Sequence, residues 1–193
     1  MTEEEIKIMQ KGKIIFLNGV SSAGKSTLAK ALQNKLSEPF YVLANDMFCD
    51  MAPEKFWDIN AGETCDRALK GMYHTIKVFS DIGINVVVDD VLLQDFRLGE
   101  CLGLLHDYDL VFVHVVCSSL EELRRREKER GDRGIGQGES QIAILDPQDT
   151  YDITVDTFAD STEDCADKII ELLDFPEKCT AFKILWEDMW KKK

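Results

Sequence analysis

The sequence has no excess of positive charge, no paired cysteine motif and no long apolar run. Its formal net charge is −13 over 193 residues, so we expect neither nucleic acid nor an anionic membrane as a partner, because both would repel it. No apolar run approaches the roughly 18 residues that a transmembrane helix needs. The segment 1–5, which contains three consecutive glutamates, is also unlike the basic start of a signal peptide. These absences predict a cytoplasmic protein.

The cysteines are scattered rather than paired. No C-x-x-C motif occurs, and the three histidines do not cluster with any cysteine. The pattern therefore favours reduced, mostly buried thiols over a disulfide framework or a Cys/His zinc site. The six positions are Cys49, Cys65, Cys101, Cys117, Cys165 and Cys179.

What the sequence does contain is a regular alternation of apolar strands with amphipathic helices. The predicted strands are 13–18, 40–44, 84–90, 110–117 and 151–156, and the predicted helices are 25–36, 64–79, 121–129 and 161–173. The four glycines in the segment 131–138 predict a mobile loop. This alternation predicts an α/β fold with a five-stranded, mostly parallel sheet, helices on both faces, and ligands at the carboxyl ends of the strands.

The length predicts a single domain over residues 1–193. Within it we expect a lid at about 126–145 and a C-terminal helical extension at about 176–193. Apolar residues of that extension recur on one helical face, which packs on the domain or on a second copy. The chain is therefore expected to be a monomer or a homodimer.

A phosphate-binding loop lies between the first strand and the first helix. The segment matches G-x-x-x-x-G-K-[ST], whose backbone N–H groups and helix N-terminus bind phosphate. Lys25 is expected to reach the β- and γ-phosphates, Ser26 to ligate Mg²⁺, and Thr27 to add a phosphate contact. The motif predicts a protein that binds a nucleoside triphosphate and Mg²⁺. Its residues are Gly19, Val20, Ser21, Ser22, Ala23, Gly24, Lys25 and Ser26.

Two aspartates end the third predicted strand. Asp89 and Asp90 follow Val86-Val87-Val88, a pattern typical of the strand whose carboxylate orients Mg²⁺ in P-loop proteins. Successive strand residues point to opposite faces, so the two aspartates are expected to have different roles. Spacing alone leaves open which of them serves the metal.

Basic residues are concentrated between positions 123 and 133 of this acidic chain. Arg130 and Arg133 flank the start of the glycine-rich loop, where a closing lid would deliver them to a transferring phosphoryl group. Arg124 and Arg125 favour a solvated helix face paired with acidic residues at helical spacing. Those acidic residues are Glu121, Glu122, Glu127 and Glu129.

Asp46 directly follows the second strand, at the sheet edge where the phosphate loop lies. A kinase needs a group that positions and deprotonates the acceptor hydroxyl. On position alone, Asp46 is as compatible with a helix cap as with a general base.

Several segments, in order over about residues 13–170, resemble the chloramphenicol phosphotransferase-like family of P-loop kinases. They are the loop Asn18-Gly19-x-Ser21-Ser22-Ala23-Gly24-Lys25-Ser26, Asp46, the segment 89–93, Arg126-Glu127-x-x-Arg130-Gly131-Asp132-Arg133 with Gly136 and Gln141, and the segment 151–157. The resemblance implies a nucleotide-kinase-like fold and ATP-dependent phosphorylation of a hydroxyl on a small molecule.

The resemblance also implies roles for individual residues. Asp46 matches the general base, and Arg130 and Arg133 match lid arginines near the transferred phosphate. Arg126 matches a residue that contacts the phosphates or stacks on adenine. The loop 157–161 would lie beside the nucleotide base.

The segment between Asp46 and Asp89 departs from the chloramphenicol-modifying enzyme, so the acceptor stays open. Two alternatives remain: a kinase acting on a nucleotide or nucleotide sugar, and a non-catalytic nucleotide-binding regulatory module. A phosphorylated acceptor would require arginines facing the pocket, and this segment offers only Arg67. The residues expected to line the acceptor pocket are Met47, Phe48, Met51, Phe56 and Trp57.

Overall fold

The computed structural model of the chain describes residues 10–93, 96–131, 134–145 and 150–191. The described strands form one sheet in the order β2-β3-β1-β4-β5, and every neighbouring pair is parallel. The carboxyl ends of the strands therefore meet at one edge. The strands are β1 (Ile14–Asn18), β2 (Phe40–Ala44), β3 (Asn85–Asp90), β4 (Leu110–Val116) and β5 (Ile153–Asp156).

Helices connect successive strands and cover the sheet. In chain order they are α1 (Lys25–Lys35), α2 (Asn45–Asp50), α3 (Glu54–Asp81), α4 (Phe96–Leu105), α5 (Leu120–Arg130), α6 (Gln137–Leu145), α7 (Thr162–Leu173) and α8 (Ala181–Lys191), with a short 3₁₀ turn at Pro176–Lys178 before α8. Among the described helices, none has the length and apolar composition needed to cross a bilayer.

The apolar core lies on both faces of the sheet, because successive residues of each buried strand point to opposite sides. Ile15 and Leu17 pack with residues of α1 and α7, whereas Ile14 and Phe16 pack with residues of α3, α4 and α8. All five β1 residues are buried. The arrangement is a three-layer α/β fold with a parallel sheet, which confirms the predicted fold class.

The helices differ from the sequence-based prediction in three places. Helix α3 begins at Glu54 rather than near residue 64, with non-helical backbone angles at Asn60 inside it. The Asn60 side chain accepts a hydrogen bond from the Glu63 N–H, so it caps the segment that follows. Helices α4 and α6 were not predicted. In the described part of the expected loop 131–138, Ile135–Gly136 form a turn and Gln137 begins α6.

Candidate functional site

The phosphate loop joins β1 to α1 at the carboxyl edge of the sheet. Gly24, directly before α1, has a φ of 99°, a left-handed conformation that glycine adopts without steric cost. A Cβ at Gly24 would also lie 3.2 Å from the Thr157 side chain. Helix α1 begins at Lys25, so its N-terminal N–H groups face the loop, an arrangement that favours anions.

The loop lines a cavity of about 350 Å³ together with residues of other strand ends. Ser21, Ser22, Gly24, Lys25, Ser26 and Thr27 line this phosphate cavity, and so do Asn45, Asp46, Asp89, Val91, Arg126 and Arg130. Of the remaining predicted loop residues, Val20 and Ala23 have buried side chains, and Gly19 contributes a carbonyl that accepts a hydrogen bond from Lys25.

Lys25, Ser26 and Asp89 form one hydrogen-bonded group in the phosphate cavity. The Lys25 Nζ donates to the carbonyls of Gly19 (2.9 Å) and Val20 (3.0 Å) and lies 3.8 Å from Asp89 Oδ1. The Ser26 hydroxyl donates to Asp89 Oδ2 at 2.6 Å. A hydroxyl and a carboxylate oxygen side by side are the ligands that Mg²⁺ prefers, so these residues fit a magnesium ion beside a phosphate.

Asp90 lies on the opposite face of β3 and is not brought to Ser26. Its side chain is fully buried and accepts hydrogen bonds from Tyr73 Oη (2.9 Å), the Val91 N–H (2.8 Å) and Asn45 Nδ2 (3.3 Å). Burial raises the pKa of Asp90, and these donors together with Lys25 act against the rise. The strand alternation that separates the aspartates thus assigns Asp90 to anchoring the start of α2 through Asn45.

Arg126 is held against the loop that follows β5. Its Nη1 donates to Thr157 Oγ1 (2.9 Å), its Nη2 to the Thr157 carbonyl (3.1 Å), and its Nε to Glu122 (2.8 Å). The Thr157 hydroxyl in turn donates to the Ala23 carbonyl at 2.7 Å. Arg125 and Arg126 lower the pKa of Glu122 to about 2. Arg126 is therefore preoriented at the wall of the phosphate cavity.

Glu127 fixes α6 against α5 from a fully buried position. Its carboxylate accepts the N–H groups of Gly136 and Gly138, both at 2.7 Å. We expected this residue to pair arginines on a solvated face, and that was wrong: it lies on the inner side of α5. Charged hydrogen bonds of this kind are among the stronger ones in proteins. Glu127 therefore holds the start of α6 against α5.

Helix α6 also contacts the phosphate loop directly. Gln141 Oε1 accepts the Ser21 N–H at 2.7 Å, and an added Cβ at Gly138 would lie 2.7 Å from the Ser21 carbonyl. The segment in which we predicted a lid therefore packs on the loop.

Arg124 and Arg125 lie on a solvated helix face, as predicted, but the partner found for Arg124 is not one of the acidic residues named for it. Arg125 pairs with Glu122 and Glu129 on its own helix, whereas Arg124 reaches Glu139 of α6 at 2.6 Å. Because these side chains are exposed, each pair contributes little to stability.

Asp46 and Arg130 meet across the phosphate cavity. Asp46 is the second residue of α2, after Ala44 and Asn45, and its Oδ2 accepts a hydrogen bond from Arg130 Nη2 at 3.0 Å. The N-cap position belongs to Ala44. Residue 133, at which we predicted a second lid arginine, lies outside the described residues.

A second and larger cavity, of about 620 Å³, lies between α2 and α3. We refer to it as the apolar cavity. Three of the residues predicted for an acceptor pocket line it, namely Phe48, Met51 and Phe56, whereas Met47 and Trp57 are not among its lining residues. Arg67 reaches its rim but donates to Glu63 Oε1 at 2.6 Å. Helix α2 therefore borders both cavities, because Asp46 lines the phosphate cavity and Phe48, two residues later, lines the apolar cavity.

Sequence reasoning missed the residues that support this arrangement. Tyr73 and Asn45 were not singled out as site-forming side chains, because neither belongs to a recognisable motif, and Thr157 was expected beside the nucleotide base but not as a partner of Arg126. Tyr73 and Asn45 act through Asp90, and Thr157 acts through Arg126.

Comparison with known proteins identifies the family. The model of the family described as chloramphenicol phosphotransferase-like protein matches residues 12–174. A Mycobacterium tuberculosis protein named "Putative O-phosphotransferase" is 33% identical over 189 residues, covering 84% of this chain and 83% of its own. The adenylyl-sulfate kinase of Clostridium acetobutylicum is 27% identical over 182 residues, covering 88% of this chain and 86% of its own.

Solved structures with the same fold include two small-molecule kinases. The APS kinase of Mycobacterium tuberculosis, in complex with AMPPNP and APS, has a TM-score of 0.66 and 20% identity over 85% of this chain and 98% of its own. The shikimate kinase of Acinetobacter baumannii, in complex with shikimate, has a TM-score of 0.64 and 17% identity over 87% of this chain and 96% of its own. At these identities the likeness concerns the fold. With the family match and the relative at 33% identity, the chain belongs to the chloramphenicol phosphotransferase-like family of P-loop kinases.

Proposed function

We propose that this protein uses ATP and Mg²⁺ to phosphorylate a hydroxyl group of a small, largely apolar molecule. The observation that carries the proposal is the position of α2. Its first turn brings Asp46 into the phosphate cavity beside Lys25 and Arg130, while Phe48 of α2 and Met51, the residue that follows the helix, line the apolar cavity. A group placed between donor and acceptor is what phosphoryl transfer requires.

The donor side of the proposed site is built from Lys25, Ser26 and Asp89. Lys25 would exchange its bonds to the loop carbonyls for phosphate oxygens, while Ser26 and Asp89 would hold Mg²⁺. The ion, when bound, neutralises charge on the phosphate oxygens. Arg126, held by Thr157 and Glu122, would contact the nucleotide from the other wall.

On the acceptor side, Asp46 would orient the hydroxyl and accept its proton at a carboxylate oxygen. Arg130, which contacts Asp46 at 3.0 Å, would position this carboxylate before transfer and stabilise charge on the phosphoryl group during it. Residue 133 stays a predicted second lid arginine.

The wall of the apolar cavity favours an uncharged acceptor. Its cationic side chain Arg67 already pairs with Glu63, and its aromatic and aliphatic residues come from α2 and the start of α3. A kinase acting on a nucleotide or nucleotide sugar, as the name of the adenylyl-sulfate kinase relative indicates for that protein, is the second candidate. It is less consistent with this wall because anions require available cationic or N–H donors.

The test of the proposal combines product detection with one substitution. The protein is incubated with γ-labelled ATP and a panel of hydroxyl-bearing metabolites and antibiotics, chloramphenicol included. Mass spectrometry then seeks a product heavier by one phosphoryl group. ATP binding with no product and no hydrolysis above background would favour the regulatory-module alternative.

Asp46→Asn is expected to lower the transfer rate by about 100-fold or more, because a positioned base contributes at least that much. ATP affinity should stay within a few fold, since asparagine can still accept the Arg130 hydrogen bond. The matched control is Asp50→Asn, the same change one turn further along α2, outside both cavities, which should leave transfer unchanged. Full activity in Asp46→Asn would refute the base assignment.

A further inference from the structure

Two of the six cysteines meet beside the apolar cavity. Cys49 of α2 and Cys65 of α3 have their Sγ atoms 3.8 Å apart, and both residues are partly exposed. The other four cysteines are more buried or are hydrogen-bonded to the backbone. Cys101 and Cys165 have no exposed surface, and the thiols of Cys117 and Cys179 donate to backbone carbonyls.

The surroundings make one of the two thiols acidic. The hydrogen bond from Cys49 and the positive charge of Arg97 lower the pKa of Cys65 to about 7, against the effect of partial burial and the carboxylates of Asp66 and Asp90. The same hydrogen bond, together with burial, raises the pKa of Cys49. A substantial fraction of Cys65 is therefore a thiolate near neutral pH, the form that reacts with disulfides.

We propose that Cys49 and Cys65 form a redox-modifiable dithiol site, which a small-molecule disulfide such as glutathione disulfide converts reversibly into an internal disulfide. The proposal rests first on geometry. A disulfide requires the sulfurs to approach to about 2.05 Å, so from 3.8 Å the two Sγ atoms must move together by roughly 1.8 Å.

The chemistry proceeds by two exchanges. The Cys65 thiolate attacks one sulfur of glutathione disulfide, which breaks the S–S bond, forms a mixed disulfide on Cys65 and releases one glutathione thiolate. Cys49 then loses its proton and attacks the Cys65 sulfur, which forms the Cys49–Cys65 bond and releases the second glutathione thiolate. Two electrons pass from the protein to the glutathione pair. The proton lost by Cys49, and the one that Cys65 gave to water when it became a thiolate, balance the protonation of the two released glutathione thiolates.

The position of the pair links its oxidation state to α2. Cys49 lies one turn after Asp46, and the neighbours of both cysteines in sequence, Phe48 and Thr64, line the apolar cavity. The internal disulfide would tie α2 to α3 and restrain the helix that carries the proposed base. This consequence for transfer rests on the proposed function, whereas formation of the bond does not.

The bond itself is tested on the wild-type protein in buffers of glutathione and glutathione disulfide. Remaining thiols are alkylated and peptides are identified by mass spectrometry. We expect two thiols to be lost together, in one disulfide-linked peptide pair containing Cys49 and Cys65, with a rate that rises through about pH 7. Reduced glutathione in excess should restore both thiols.

Two variants and a control separate the steps. Cys49→Ser should stop at a glutathione adduct on Cys65, and Cys65→Ser should form neither the adduct nor the internal bond. Cys117→Ser, far from the pair in sequence, should behave as the wild type. Wild-type protein that keeps both thiols in excess glutathione disulfide, or that holds glutathione on either cysteine without forming the internal bond, would overturn the proposal.

Restraint of α2 is measured separately, by amide hydrogen exchange. Exchange in residues 45–50 should slow by about tenfold on oxidation, while ATP affinity stays within about twofold, because no phosphate-loop residue contacts the pair through a hydrogen bond described in the structure. Unchanged exchange in α2 would refute the link to the proposed base. A failed transfer assay would leave both of these measurements in place, so the two proposals fail independently.

Discussion

Asp89 and Asp90 are neighbours in the chain, yet their side chains serve opposite faces of the sheet. Strand alternation predicted that they would differ, but not which one meets Ser26. That depends on which helices cover each face, and the strand segment itself does not carry this information. Tyr73, whose hydroxyl donates a hydrogen bond to Asp90, is 17 residues away in sequence and belongs to no recognisable motif. The phosphate-loop motif and the pair of aspartates could therefore be recognised in the sequence, whereas Tyr73, which holds Asp90 in place, could not.

The hydrogen bond from Tyr73 to Asp90 is expected to contribute measurably to stability. Tyr73→Phe leaves a fully buried carboxylate with one donor fewer, so we expect a loss of about 2 kcal/mol in the free energy of unfolding. Tyr108→Phe is the matched control, because its hydroxyl donates to the exposed Asp81 at 2.6 Å and should cost less than about 1 kcal/mol. Urea unfolding of both variants measures the difference.

The effect of Tyr73→Phe should also depend on pH. The hydroxyl lowers the pKa of Asp90, so its contribution is present when Asp90 is ionised and is lost as the pH falls through the raised pKa of this group. The stability gap between wild type and variant should therefore narrow in acid. A gap that widens as the pH falls would contradict an ionised Asp90.

At the scale of elements, the five strands could be predicted because buried parallel strands are continuous apolar runs. Helices α4 and α6 could not, because glycines interrupt both segments, at Gly99 and Gly103 in α4 and at Gly138 in α6. For the start of α3, the sequence indicated only a short helical turn at 53–57, separate from the helix that follows. Its first residues form the wall of the apolar cavity, so their apolar positions do not follow the period of a core-facing helix.

Two exposed glycines in α3 offer a test of the apolar cavity. A Cβ at Gly71 would meet no atom within 4 Å, and Gly71 lines the cavity. Gly71→Ala is therefore expected to raise the free energy of unfolding by about 0.5–1 kcal/mol through helix propensity. It should also raise the KM for an acceptor identified by the panel, because the added methyl group enters the cavity.

The control for this prediction is Gly62→Ala in the same helix. Gly62 is outside the apolar cavity, and a Cβ there makes only an ordinary contact of 3.7 Å with Asn60. Its gain in stability should be smaller, since it lies in the first turn after the Asn60 cap, and its KM should not change. A destabilised Gly71→Ala variant would mean that this face of α3 is covered rather than open.

At the scale of the whole molecule, α8 belongs to the packed core although the family model ends at residue 174. Its Phe182 ring lies 4.7 Å from Phe112 and 5.6 Å from Phe16 by ring centroids. Asp152, just before β5, accepts the N–H groups of Thr180 and Ala181 at the start of α8 and that of Phe112 in β4. The apolar period of the sequence predicted this packing face. The Asp152 connection depends on the folded arrangement and was not predicted.

Removing the Phe182 side chain should therefore affect the entire fold. Phe182→Ala leaves a cavity between α8 and the centre of the sheet and is expected to cost about 3–5 kcal/mol. Ile184→Ala, two residues along the same helix and 45% exposed, should cost less than about 1 kcal/mol. Denaturation of both variants, with and without ATP, measures the costs. Equal, small losses in the free energy of unfolding for the two variants would show that α8 does not support the fold. The expected larger loss for Phe182→Ala would make α8 part of the structure that holds β1, and with it the phosphate loop, in place.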